Sequence, residues 1–195
     1  MKNYLLIVLL VFSNNAFGQK VPDYGINSVR IIEQDKTLQF SVTSVPAAVA
    51  AYTTTPYYWY SGNQVNVTQG SYSGKLLNGP YREFFLNKNL KTEGSFELGR
   101  KTGVWKTWNE KGMLCDIVAW KNGIKNGRYI LYGADGKMIE SGINKLDKPN
   151  GPVHFYPKPD SVVTVYYKKG VVTPRDTSSI WKRFNIFRNR NAKHD

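Results

Sequence analysis

The side chains able to do chemistry are few in this 195-residue chain, and they lie far apart. The two histidines, His154 and His194, stand forty residues apart, and no His-x-x-x-His or Cys-x-x-Cys spacing occurs. No zinc site is therefore indicated. A single cysteine, Cys115, rules out an intrachain disulfide framework and any multi-cysteine metal site. Gly70-Ser71-Tyr72-Ser73-Gly74 places a tyrosine where the serine of a nucleophile elbow belongs. No Gly-x-Gly-x-x-Gly or phosphate-binding lysine loop is present. Glu83, Glu93, Glu97 and Glu110 are isolated acids among lysines. Two carboxylates could act as acid and base on a glycosidic bond only across a cleft. Surface pairing with lysine is the simpler reading, and it contributes little energy. These residue types argue against an enzyme and call for no cofactor.

What the chain does have is aromatic side chains, glycine and positive charge. Thirteen Tyr, nine Phe and five Trp are too many for a disordered polar chain. They recur with a period. Gly79, Gly103, Gly127 and Gly151 are spaced by 24 residues. Two residues after each comes Tyr81, Trp105, Tyr129 or Val153, and five after comes Phe84, Trp108, Tyr132 or Tyr156. The register extends back to Thr55-Pro56-Tyr57, giving four recognisable units and a fading fifth.

Each unit reads as two strands. An aromatic first strand, such as Val104 to Trp108 or Arg128 to Tyr132, is followed by a turn such as Asn109-Glu110-Lys111-Gly112. A second strand follows, such as Met113 to Trp120, and then a glycine-bearing connection such as Gly99 to Gly103. Asn-Gly at 78, 126 and 150 reads as tight-turn positions, because both residues tolerate positive φ. Glycines fall too often for a helix. The expected fold is all-β: an elongated antiparallel meander of stacked hairpins, with equivalent aromatics stacked from unit to unit. The two aromatic positions are three apart. Either both sheet faces carry aromatics or a bulge re-aims one of them.

The pattern Gly-x-Tyr/Trp-x-x-Tyr/Trp, then Gly-x-Phe/Trp and a glycine-bearing turn, resembles MORN repeats (membrane occupation and recognition nexus). It is most similar to the bacterial variant found in exported proteins and in antitoxin-like proteins of toxin–antitoxin modules. The resemblance covers residues 55 to about 168. It implies an elongated sheet of hairpins serving as a binding or scaffold module, with some members contacting phospholipid or other proteins, and no catalytic residue in the repeat. The chain departs from the pattern where Pro149, Pro152, Pro157 and Pro159 interrupt the last unit, which suggests an atypical end unit.

The flanks set the context. Lys2, the apolar run Tyr4 to Phe12 and the small-x-small site Ala16-Phe17-Gly18 read as a signal peptide over 1–18, with Gln19 as the new N-terminus. The run is short of the about 20 apolar residues a bilayer span requires. The expected location is the periplasm, the cell envelope or the medium. There Cys115 is either a small apolar strand residue or a link to another chain. Residues 19–54 read as a β cap and loop, with strands at Ser28 to Ile32 and Thr37 to Val42.

The formal charge is +13, concentrated after residue 74. In the tail, residues 169–195, Ile180, Phe184 and Phe187 share one face of a short C-terminal helix, if one forms, beside Lys182, Arg183, Arg188 and Arg190. Trp181, Arg183, Phe184 and Arg188 are the candidates for surface binding.

Two readings follow. In the first, an exported scaffold binds an unidentified protein through its aromatic hairpin sheet, an antitoxin- or immunity-like role being one version. In the second, a peripheral envelope protein is held on anionic lipid by its basic loops and tail. Nucleic acid is not expected in an exported chain.

Overall fold

The structure, a computed structural model, describes residues 27–44, 54–158 and 160–174. These residues form fourteen strands and no helix, and every strand pairing is antiparallel. The proposed signal peptide, Pro159 and the helical face at 180–187 lie outside the described residues.

Strands β1 (Ser28–Ile32) and β2 (Lys36–Val42) come first, then the hairpin β3 (Pro56–Ser61) and β4 (Gln64–Gln69). The repeats supply β5 (Lys75–Phe85), β6 (Leu90–Glu97), β7 (Arg100–Trp108), β8 (Leu114–Lys121), β9 (Ile124–Tyr132) and β10 (Met138–Lys145). A two-residue β11 (Lys148–Pro149), then β12 (Gly151–Lys158), β13 (Ser161–Lys168) and β14 (Val171–Thr173) complete the chain. The main sheet is a meander from β5 to β14, with β2 and then β1 added outside β5.

The 24-residue period is written into the backbone at three places. Two-residue turns with positive φ at both positions fall at Leu98-Gly99, Asn122-Gly123 and Leu146-Asp147. The N–H at the second position reaches back to the start of the preceding unit: Gly99 to the Leu77 carbonyl, Gly123 to Lys101 and Asp147 to Lys125, at 2.7, 2.9 and 3.0 Å. At the other end of each hairpin, Gly112 donates to the Asn109 carbonyl and Gly136 to Gly133, both at 2.9 Å.

Gly79, Gly103 and Gly127 are not at tight turns. They lie inside β5, β7 and β9, where three residues of the strand oppose one of its neighbour, and their φ values are +106°, +69° and +127°. The Asn-Gly pairs at 78 and 126 therefore mark bulges within long strands. A left-handed glycine bends a strand without ending it.

A second bulge recurs in the even strands. Lys91, Cys115 and Ile139 are each the extra residue opposite Glu83/Phe84, Thr107/Trp108 and Leu131/Tyr132. Strands β5, β7 and β9 themselves run regularly through their aromatic positions. Alternation then puts Phe84, Trp108 and Tyr132 on the face opposite Tyr81, Trp105 and Tyr129. Both faces of the sheet carry aromatics.

The hairpin of the first unit leaves the row. Outside its own hairpin, β3 pairs with the extension of β5 that projects past β6, Trp59 opposite Leu76 and Tyr60 opposite Lys75. The Tyr58 N–H donates to the Gly99 carbonyl at 2.8 Å, and Thr55 lies against Gly123. The sequential order expected from residue 55 thus fails at this unit. A one-layer sheet buries no core by itself, and folding β3–β4 over the face supplies the second layer. Tyr58 and Tyr60 close over Phe40, Phe96, Leu77 and Trp105, and Tyr57, Leu76 and Leu77 lose all solvent exposure. β2 takes the place beside β5 that the first unit leaves open.

The last hairpin does form. β12 and β13 pair from Gly151–Tyr167 to Lys158–Ser161, and Pro157 falls within a register shift. The prolines act at its inner side: β10 and β12 share only Glu140–Phe155 and Ser141–His154. Proline offers no N–H to a ladder, and Pro152 stands in that strand.

Candidate functional site

Where the β3–β4 layer stops, the sheet face is left as an open hollow of about 380 Å³ over β5 to β8. Its inner wall is the edge of the core: Tyr58 from the covering hairpin, with Phe96, Tyr81 and Trp105 from the sheet. Tyr58 and Phe96 rings lie 4.8 Å apart, Phe96 and Trp105 5.0 Å, and Tyr81 and Trp105 5.6 Å. The outer wall is Trp120 and Lys125, with Thr92, Thr107 and Asp116 across the floor.

Lys101 stands in the middle. It follows the Leu98-Gly99 turn at the start of β7, which aims its side chain along the face. Its ammonium is 4.2 Å from the Trp105 ring centre, 4.9 Å from Trp120 and 5.7 Å from Tyr58. Attraction to the ring faces holds the cation there. Burial lowers its affinity for the proton, Asp116 raises it and Lys125 lowers it further. Lys125 approaches the same Trp120 ring at 5.8 Å.

The carboxylates of the hollow are already engaged. Glu83 accepts the Tyr81 hydroxyl at 3.2 Å and pairs with Lys91 at 2.8 Å. Burial, and then the Glu83 charge, push the Tyr81 phenol far above its usual range. Asp116 accepts the Thr107 hydroxyl at 2.6 Å. The arrangement is an aromatic cup with an ammonium at its centre.

Of the repeat signature, the structure brings Tyr81 and Trp105 into this site. Trp105 is 3% exposed and Tyr129 6%, so both are core first. The unit-to-unit ring stack holds for Tyr81 and Trp105 alone among these three. Gly94 lies opposite Tyr81 and leaves the rings free to meet, whereas Val118 stands between Trp105 and Tyr129. Phe84, Trp108 and Tyr132 are half-buried on the other face. Gly79, Gly103, Gly127 and Gly151 shape the strands.

Trp181, Arg183, Phe184 and Arg188 lie outside the described residues. Cys115 is half-buried at its bulge, its thiol 3.7 Å from the Met113 carbonyl. The His154 ring meets the Thr164 hydroxyl at 2.9 Å, and no group of metal-ligating side chains occurs among the described residues. No helix among them is long and apolar enough to cross a membrane.

The sequence reading missed Lys101, Lys125 and the placement of Tyr58. The period carried a signal for the first two, since they are 24 residues apart at a position held by Leu77 and Pro149 in the flanking units. Nothing in the local sequence announced that the first hairpin would fold over the face.

No model of a known protein family matches the chain, and no curated protein is significantly similar to it.

Proposed function

We propose that this chain is a non-enzymatic binding protein that holds a segment of another protein in the hollow around Trp105 and Trp120. One observation carries the reading: an aromatic hollow, open to solvent, lies on the hairpin array and encloses an ammonium. Aromatic and cationic side chains in a desolvated cup are the usual anchors of protein contacts. The site acids are occupied by Tyr81, Lys91 and Thr107, which suits recognition more than proton transfer.

The 24-residue period and the glycine-aromatic spacing support a MORN-like repeat origin. The N-terminal Lys2, apolar run and Ala16-Phe17-Gly18 support export, with Gln19 as the first residue of the mature chain. An immunity-like role toward an exported toxin is one form of this binding.

The test is capture of the partner from envelope extract by the mature chain and three single variants. Thr92→Arg and Val118→Arg fill the hollow, and Val104→Arg alters the exposed opposite face. The partner is expected with wild type and Val104→Arg and lost with the other two, provided their β-type circular dichroism is unchanged. Capture that survives Thr92→Arg, or a partner lost only with Val104→Arg, contradicts the proposal.

A further inference from the structure

We infer that Lys101 and Lys125 form a carboxylate-accepting subsite on the Trp120 side of the hollow, so that the bound segment presents an Asp or Glu side chain there. The inference rests on the binding role proposed above and names the chemistry of the partner.

Four observations lead to it. Both ammonium groups bear on the same indole, at 4.9 and 5.8 Å from its centre, and the charge of Lys125 acts on Lys101. Neither takes part in an ion pair among the described residues. Of the nearby acids, Glu83 is paired with Lys91, while Asp116 accepts the Thr107 hydroxyl and keeps its charge, which faces Lys101 without a direct ion pair. The fold does not need a cation at this repeat position, because Leu77 and Pro149 occupy it in the neighbouring units and make the same backbone contact to the following turn.

Two like charges beside a half-buried ring are costly in the empty site. An arriving anion offsets that cost, and in low-dielectric surroundings a charge-assisted hydrogen bond is stronger than at the open surface. Burial depresses proton binding by Lys101, and Lys125 adds to this against the opposing charge of Asp116. Bound carboxylate reverses that direction.

The size and sign of the charge select a carboxylate. Lys91, Lys101 and Lys125 face Glu83 and Asp116, which leaves one net positive charge. A single carboxylate neutralises it, whereas a phosphate dianion overshoots and meets Asp116 across the floor. The aromatic walls accept the methylene stem of the same side chain.

The experiment is a nuclear magnetic resonance titration of the mature chain, read at the Trp120 indole N–H. Three probes are used: acetyl-Gly-Glu-Tyr-Gly-amide, its Gln counterpart and inorganic phosphate. The Glu peptide is expected to give a saturable shift with an affinity at least about tenfold above that of the Gln peptide or phosphate. Lys101→Met and Lys125→Met each lower that affinity about tenfold, and Lys101→Arg retains most of it. Lys125 is exposed, so its variant tests the subsite even where Lys101→Met disturbs packing.

Equal binding of the Glu and Gln peptides, preference for phosphate, or no loss in Lys125→Met overturns the inference. Partner capture lost with Thr92→Arg but kept with Lys125→Met overturns this subsite and leaves the binding role standing.

Discussion

The Trp105 indole rests directly on the backbone of Gly94, so closely that a Cβ at Gly94 would overlap ring atoms Cδ2 and Cε2. Because Gly94 is also the residue opposite Tyr81, the missing side chain is what lets the Tyr81 and Trp105 rings meet. One unit later Val118 fills the equivalent place, and the stack stops. The hollow lies where this ring contact and the covering hairpin end together.

Gly94→Ala is therefore expected to cost about 1–3 kcal/mol, the usual range for forcing a methyl group into a packed core. Urea unfolding measures it. The cost should shrink in a Trp105→Leu background, since the overlapping ring is gone. An equal cost in both backgrounds would show that the ring is not what the methyl group meets.

Trp105→Ala is expected to destabilise by about 3–5 kcal/mol, as for other buried aromatic truncations. Trp108→Ala, on the half-buried opposite face, should cost clearly less. The two denaturation curves decide it, and reversed magnitudes contradict the assignment of faces.

Gly103 and Gly127 share a repeat position but should respond differently. At Gly103 an added Cβ meets nothing within 4 Å, so Gly103→Ala costs only the left-handed backbone, about 1–2 kcal/mol, and Gly103→Asn less. At Gly127 the added Cβ would stand 2.8 Å from that of Ala119, and Gly127→Ala should cost more. Equal losses in thermal unfolding would argue against the two strand paths described.

The tyrosines set a pH response. Burial first, and then the partner carboxylate, raise the Tyr81 and Tyr129 phenols in the folded chain. Unfolded tyrosine ionises near about pH 10. Their contribution is complete below that value and is lost as pH rises toward the folded values. Lys101 acts in the opposite sense, because its folded affinity for the proton is lowered. Stability measured from about pH 9 to pH 11 should fall less steeply in Tyr81→Phe than in wild type. An unchanged slope would show that this phenol ionises as freely folded as unfolded.

Much of the architecture was legible because the period repeats the same physical demands. Asn-Gly at 78 and 126 pointed to positive φ, and the two segments either side of Glu33-Gln34-Asp35-Lys36 read as strands. The role of these glycines as bulges was not legible, since Asn-Gly serves a two-residue turn equally well and only pairing partners decide between the two. The site was less legible still. Trp105 and Tyr81 stood out as repeat residues, but Lys101 reads as one lysine among many until Tyr58 is folded over it. That placement depends on β3 crossing Gly99 and Gly123, a contact between units that local spacing does not encode.

The most direct measurement of the binding role is site-specific photo-crosslinking in the cell of origin. A photoreactive phenylalanine analogue at Thr92, within the hollow, is compared with one at Val104, exposed on the opposite face. The account predicts one discrete adduct from Thr92, absent from Val104 and suppressed by excess unlabelled mature chain. An adduct from Val104 alone, or equal adducts from both positions, would contradict it.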